Sequence, residues 1–194
     1  YASADDFAVG EITVPRGEKL SGFITVPKGT DDGTTIPVTI VHGANDGPVL
    51  ALIAGIHGYE YPSITALQAM RTQLDPAAVS GTVILVHIAN MPAFLARTIY
   101  YSPGDGKNLN RMFPGDPDGT ISQRIAHTLT TEVIDQANYL VDLHAGDGNE
   151  APRPYVYMPV TGNAVFHSKI EGLAVAFGLE HIVTDKGPQH ASGP

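Results

Sequence analysis

The chain has 194 residues, 43% hydrophobic and 16% charged, a composition that predicts a packed core and excludes disordered and fibrous classes. Eleven lysines and arginines against twenty acidic residues leave a formal charge of −9, which argues against non-specific nucleic-acid binding. No apolar run approaches the roughly eighteen residues of a membrane helix. Cysteine is absent, which excludes disulfides and thiolate metal sites, so the eight histidines are the first candidates for chemistry.

In chain order, the first 35 residues predict short edge strands, of which Leu20–Val26 is the clearest. Two compact apolar runs follow, Val38–Val41 and Val49–Ala54, and the turn-forming segment Asn45–Pro48 between them predicts a hairpin. The second run is continuously apolar, which indicates a strand buried on both faces.

The rest of the chain alternates between helical and strand-like patterns. Apolar residues at helical spacing predict a helix from Pro62 onwards, and Thr82–Ala89 predicts another buried strand. The Gly-, Pro- and Asp-rich stretch 91–119 predicts a long functional loop. The remaining predicted elements are a helix capped by Thr120, strands at Tyr139–Leu143 and Tyr155–Met158, a helix over 163–177 and a strand candidate at His181–Val183.

Apolar strands that alternate with helices predict an α/β fold, namely a three-layer α/β/α architecture with a mixed, mostly parallel central sheet. We divide the chain into an N-terminal β edge segment, residues 1–35, and a catalytic α/β domain, residues 36–194. The sequence ends mid-loop at His190–Pro194, so we expect this domain to continue beyond Pro194.

Two segments carry candidate metal ligands at the ends of predicted strands. His57 and Glu60 follow the strand Val49–Ala54, and His144 follows Tyr139–Leu143. Ligands of open α/β sheets bind at the carboxyl ends of the strands. Two histidines and one glutamate form a ligand set of catalytic zinc sites, so we predict one Zn²⁺ per chain. Asp142 shares a strand face with His144, because side chains alternate with period two.

A third segment, Asn108–Gly115, lies in the long predicted loop and contains Asn108, Asn110 and Arg111. A guanidinium beside two carboxamides suits the binding of a substrate carboxylate, which it can contact bidentately. Taken singly, each of the three segments also has an interpretation without a functional role, namely loop residues facing water, a core histidine or a surface arginine.

Together the three motifs, His57–Glu60, Asn108–Gly115 and Asp142–His144 in that order, resemble the succinylglutamate desuccinylase/aspartoacylase family of the zinc carboxypeptidase clan. The resemblance covers about Val49–Phe177 and implies a zinc-carboxypeptidase-like fold. It implies a zinc-dependent amidohydrolase that removes the acyl group of an N-acylated amino acid or similar small amide by metal-activated water. It matches His57, Glu60 and His144 to the zinc ligands, and Asn110 and Arg111 to the pair that binds the substrate's carboxylate.

The resemblance also implies supporting roles. Asn108 stands where relatives often carry an aspartate that orients the first ligand histidine, and an asparagine there adds no charge; we assign Asp142 a similar role. Relatives carry an arginine that polarises the scissile carbonyl. Arg97 is the candidate, although alignment by the following tyrosine puts Ile99 at that place. Their general base is a glutamate in a later Glu-x-Gly-like segment, which we do not find here and expect beyond Pro194.

Two other functions stay open: a zinc metallocarboxypeptidase with the same ligands, and a non-catalytic metal- or ligand-binding module without the base. We expect a small anionic acyl-amino-acid-type substrate and neither a nucleic-acid nor a membrane partner. A homo-oligomer stays open. The cytoplasm is the expected compartment, with the periplasm and secretion left open.

Overall fold

A computed structural model describes residues 5–160 and 162–185 of the chain. The chain forms two compact units, residues 1–150 and 151–194. The predicted division at residue 35 stays a prediction, and the predicted loop at His190–Pro194 lies outside the described residues. No described helix has the length and apolar character to cross a bilayer.

The first unit contains a two-stranded hairpin and a five-stranded central sheet. Its strands are β1 (Phe7–Val9), β2 (Ile12–Val14), β3 (Lys19–Val26), β4 (Thr34–His42), β5 (Asn45–Ala54), β6 (Ser80–Val86) and β7 (Tyr139–Leu143). The central order is β3-β4-β6-β5-β7. β4 is antiparallel to β3 and β6, whereas β5 is parallel to β6 and β7. The α/β class and the mixed sheet are confirmed, and four of the five strands run in one direction, with β4 reversed.

The hairpin predicted at Asn45–Pro48 is wrong, because β6 lies between β4 and β5. These residues instead extend β5, with an irregular register between Asn45 and Val49. Gly81 makes this possible: its φ is +86°, and a Cβ there would lie 2.1 Å from the Pro48 carbonyl oxygen. Turn-forming composition cannot show which strands become neighbours.

Helices cover both faces of the central sheet. They are α1 (Tyr61–Gln73), α2 (Met91–Ala96) and α3 (Ile121–Glu132). Adjacent residues of β5 point to opposite faces, as the strand period requires. Leu52 belongs to the apolar cluster that contains Ile64 of α1, and Ile53 belongs to the cluster that contains Ile125 of α3. The strand is therefore buried on both faces, as its continuous apolar sequence predicted.

The stretch 91–119 is not a loop throughout, because it contains α2 and a 3₁₀ turn at Leu109–Arg111. Asn90 begins α2: its side-chain oxygen accepts a hydrogen bond from the Ala93 N–H at 3.2 Å. Pro92 in the first turn needs no hydrogen-bond partner there. Asn90 and Pro92 are helix-start signals that are visible in the sequence. The many Gly and Pro residues of the stretch 91–119 nevertheless favour the prediction of a loop.

The second unit contains β8 (Val156–Pro159), α4 (Ala164–Ala176) and β9 (Ile182–Asp185). β8 and β9 pair in parallel. The Asn163 side chain accepts a hydrogen bond from the Phe166 N–H at 3.1 Å and so begins α4. The helix predicted over 163–177 and the strand predicted at Tyr155–Met158 are confirmed.

Candidate metal site

The parallel pairing of β5 and β7 brings two distant histidines together. Ala54 at the end of β5 lies opposite Leu143 at the end of β7. His57 follows β5 after a two-residue link, and His144 follows β7 directly. Because both strands end at the same edge of the sheet, the two imidazole rings lie with centroids 4.9 Å apart.

His57, Glu60 and His144 form a cluster in which one potential ligand atom from each residue lies within 4.8 Å of the others. Nδ1 of His57 is 2.8 Å from Oε1 of Glu60, and Nδ1 of His144 is 2.9 Å from Oε2 of Glu60. His57 and Glu60 are buried, whereas His144 is exposed. Two imidazole nitrogens and a carboxylate are donors that a divalent zinc ion accepts, so the cluster fits that ion.

The outer nitrogen of each histidine contacts a side-chain oxygen. Nε2 of His57 is 3.2 Å from Oδ1 of Asn108, and Nε2 of His144 is 3.0 Å from Oδ2 of Asp142. Such contacts fix the orientation of an imidazole and leave its other nitrogen for a metal. The structure thus places Asn108 and Asp142 where they can hold the two rings.

The electrostatics of the cluster favour positive charge beside Glu60. Burial alone would raise the pKa of Glu60, but hydrogen bonds with His144 and His57 outweigh it and lower the pKa to about 2. Burial alone would lower the pKa of His144, but hydrogen bonds with Asp142 and Glu60 raise it to about 10. A site that holds a proton this firmly between carboxylates is also suited to a cation in its place.

The beginning of α2 holds the loop that carries His57. A Cβ on Gly58 would lie 2.2 Å from the Ala93 carbonyl carbon, so only glycine allows this approach. Asn90 is buried, and its side-chain amide donates to the Ile56 carbonyl at 3.4 Å. Asn90 was not a predicted site residue; its only signal in the sequence is its position two residues before Pro92.

Asn110 and Arg111 lie beside the cluster, in the 3₁₀ turn that follows Asn108. Oδ1 of Asn108 accepts a hydrogen bond from the Asn110 N–H at 3.0 Å. The Arg111 side chain is exposed, and its Nη1 donates to the Asn110 carbonyl at 3.2 Å. One asparagine therefore links His57 to the turn that presents the guanidinium; the predicted substrate contact stays a prediction.

Arg97 lies at the C-terminal end of α2, with its side chain exposed. It lines a groove together with Tyr61 and Phe94, and no contact within the described part of the chain joins it to the three predicted ligands. Tyr100 instead contacts His57 edge-on, with ring centroids 5.1 Å apart. Sequence reasoning used Tyr100 only to align the family's arginine and gave it no role at the site, because no local pattern shows that a loop tyrosine packs against His57.

The loop 145–150, which follows the second histidine, is attached to the first segment at two points. The Ala145 N–H donates to Oε2 of Glu60 at 3.2 Å. The ring of Tyr59 lies against Gly148. This places the buried Asp147 close to the cluster.

Comparison with known proteins shows what this chain is similar to. A sequence model of the succinylglutamate desuccinylase/aspartoacylase catalytic domain matches residues 46–193. The N-alpha-acetyl-L-2,4-diaminobutyric acid deacetylase of Halomonas elongata is 38% identical over 168 residues, which are 84% of this chain and 48% of that protein. The chain therefore spans about half the length of this curated relative.

Two solved structures share the fold. A succinylglutamate desuccinylase/aspartoacylase from Rhodobacter sphaeroides has a TM-score of 0.82 and 31% identity, covering 91% of this chain and 55% of that one. An aspartoacylase family protein from Mesorhizobium loti has a TM-score of 0.80 and 28% identity, covering 88% and 54%. The resemblance predicted from the three motifs is confirmed. Because the family model matches residues 46–193, well over half of the chain, the chain belongs to the succinylglutamate desuccinylase/aspartoacylase family.

Proposed function

We propose that this chain carries the metal centre of a zinc-dependent amidohydrolase that removes the acyl group of an N-acylated amino acid. The observation that carries the proposal is the convergence of His57, Glu60 and His144 at the carboxyl ends of β5 and β7. Membership of the family and the named activity of the Halomonas relative support hydrolysis of an amide bond.

The three clustered side chains would hold one Zn²⁺. When bound, the ion supplies a Lewis acid and lowers the pKa of its water to about 7. Asn108 and Asp142 hold the imidazoles by Nε2, which leaves both Nδ1 atoms beside the Glu60 carboxylate, where they would be free to bind the ion. Glu60 stays ionised at neutral pH, since its pKa is held at about 2.

Asn110 and Arg111 would bind the carboxylate of the substrate. A guanidinium donates two parallel N–H groups to a carboxylate, which fixes the orientation as well as the position of the bound molecule. Orientation matters here because the acyl carbonyl must lie next to the ion. The role of Arg97 at the oxyanion and that of a glutamate beyond Pro194 as general base stay predictions.

A substrate panel tests the proposal. The full-length protein, loaded with zinc, is given N-acetyl and N-succinyl amino acids and peptides of three or more residues, and release of the free amino acid is measured. We expect hydrolysis of acylated amino acids only. Preference for the longer peptides would contradict the proposal and indicate a carboxypeptidase. Bound zinc with no hydrolysis of any compound would contradict it too and indicate a binding module.

A further inference from the structure

A groove between α1 and the end of α2 contains none of the three predicted metal ligands. Its volume is about 340 Å³, which lies in the usual range of small-molecule sites, about 300–1,000 Å³. Its walls combine apolar and aromatic side chains with one amide and one cation, and they include Tyr61, Ile64, Gln68, Phe94, Leu95 and Arg97. The groove therefore has the composition of a binding site as well as the size.

The apolar part of the groove is arranged to receive an apolar molecule. Ile64 is buried, whereas Leu95 is 72% exposed. The rings of Tyr61 and Phe94 meet edge-on at 82°, with centroids 5.9 Å apart. This is a favourable geometry for an aromatic pair, so this wall is already formed without a ligand. A molecule that covers Leu95 and the aromatic pair removes apolar surface from water, which favours binding.

Arg97, which supplies the cation, has a backbone conformation that favours glycine. Its φ is +55°, and it is the only non-glycine residue with a positive φ in the described part of the chain. Its N–H donates to the Phe94 carbonyl at 3.2 Å and so ends α2. An L-residue is strained in this conformation, whereas glycine is not. Strained residues of this kind cluster at ligand-binding sites, which makes the side chain of Arg97 the feature of the groove to explain.

The Arg97 guanidinium has no acidic partner within the described residues. The chain contains twenty acidic residues, yet none of those described forms an ion pair or a hydrogen bond with it. The side chain is exposed and lines the groove. A guanidinium binds a carboxylate through two parallel hydrogen bonds. A carboxylate attached to an apolar body therefore complements both the cation and the apolar wall.

We propose that this groove is a second binding site, separate from the metal cluster, for a small carboxylate with an aromatic or branched apolar body. The carboxylate pairs with Arg97, and the body packs against Tyr61, Phe94 and Leu95. Tyr61 begins α1 and follows Glu60 directly, so a molecule bound here contacts the helix that starts beside the cluster. The inference goes beyond the proposed function, because it concerns binding alone. It gives Arg97 a role other than the one predicted at the oxyanion.

The test is calorimetric titration of the full-length, zinc-loaded protein with 3-phenylpropionate and with its neutral amide. We expect the acid to bind about tenfold more tightly or better, the difference typical of a hydrogen bond to a charged group. Arg97→Gly removes the guanidinium and relieves the backbone strain, so its urea midpoint should equal or exceed that of the wild type. It should raise the Kd of the acid about tenfold or more and leave that of the amide unchanged.

Two further variants locate the bound carboxylate. Gln68→Glu places a negative charge in the groove at an exposed position, so it should also raise the Kd of the acid. Arg111→Ala removes a guanidinium beside the metal cluster instead, and it should keep the Kd values of both compounds.

Equal binding of the acid by the wild type and by Arg97→Gly would overturn the inference. Binding that is lost in Arg111→Ala and kept in Arg97→Gly would overturn it too, because the carboxylate would then lie at the metal cluster. Equal binding of acid and amide by the wild type would contradict the carboxylate class. A protein that hydrolyses nothing yet binds the acid through Arg97 would refute the hydrolase and support this second site.

Discussion

At the scale of single residues, each predicted ligand histidine is held from both sides of its ring. His57 has the neutral Asn108 behind it and His144 has the charged Asp142, at 3.2 and 3.0 Å. Both turn Nδ1 towards the one carboxylate of Glu60. The two imidazole rings are thus fixed by three neighbouring side chains, which make four contacts with them.

Replacing one exposed ligand should remove the metal without unfolding the protein. His144→Ala should weaken zinc binding about a hundredfold or more, because losing a ligand costs at least as much as losing a group that orients one. Zinc content after dialysis, measured by mass spectrometry, checks this. His127→Ala, on α3, should retain zinc; equal zinc in both variants would contradict the assigned ligand set.

The guanidinium of Arg111 should act on substrate binding rather than on turnover. A charge-assisted hydrogen bond is worth about 1.5–3 kcal/mol, so Arg111→Ala should raise KM for an acyl amino acid about tenfold to a hundredfold. For an analogue whose carboxylate is replaced by an amide, the same variant should leave KM unchanged. Arg16→Ala removes only a surface pair with Asp46 and serves as the control. An unchanged KM for the acyl amino acid would contradict the role of Arg111 in binding the substrate's carboxylate.

At the scale of elements, the site depends on how α2 approaches the loop after β5. The Gly58 backbone touches that of Ala93, and Asn90 donates to the Ile56 carbonyl. Neither contact involves a predicted ligand, yet both fix the backbone of the loop that carries His57. The helix that interrupts the predicted long loop is therefore part of the support of the site.

Gly58→Ala should be strongly destabilising for this reason. A Cβ would lie 2.2 Å from backbone of α2, which cannot move aside as a side chain can, so we expect a loss of about 2 kcal/mol or more in the free energy of unfolding. Zinc affinity should fall as well. Urea unfolding checks the first effect. Gly172→Ala, in α4 with open space around it, should instead be stabilising by about 0.5–1 kcal/mol; similar effects at both glycines would refute the close approach.

At the scale of the whole molecule, a chain of polar side chains crosses the sheet and is buried at Thr39 and His87. Ser21 of β3 and Thr39 of β4 share a hydrogen bond of 2.7 Å, and Thr39 lies 2.8 Å from Nε2 of His87. His87 follows β6 and is buried. Burial, assisted by the positive charge of Arg71, lowers the pKa of His87 to about 4.

The stability of the fold should therefore depend on pH through His87. Above its unfolded pKa of about 6.5, the side chain is neutral in both states and the full stability is present. Between about pH 6.5 and 4, the unfolded chain binds a proton that the folded chain does not. The free energy of unfolding should fall by roughly 3 kcal/mol over this range.

Urea unfolding of the wild type and of His87→Gln, at pH 7.5, 5.5 and 4, measures this contribution. The glutamine variant lacks the titrating group but can still bond to Thr39. The wild type should lose more stability on acidification than the variant. Identical losses would show that carboxylates elsewhere account for the whole acid response.

The sequence by itself determined the features that depend on local periodicity and on residue chemistry. The buried strand at Val49–Ala54, the helix capped by Thr120 and the three ligand candidates could all be predicted in this way, because a strand pattern and a donor set are visible in short segments. The motif His57–Glu60 was identified without knowing what lies next to it.

Only the tertiary structure decided which strands are neighbours and what surrounds the cluster. It placed β6 between β4 and β5 and put Tyr100 rather than Arg97 against His57. It also placed Asn90 and Asp147 in segments that contact the cluster or its loop. These outcomes follow from sheet register and from backbone approaches between segments far apart in sequence. The physical reason is that pairing energies of this kind depend on long-range packing, which no local pattern encodes.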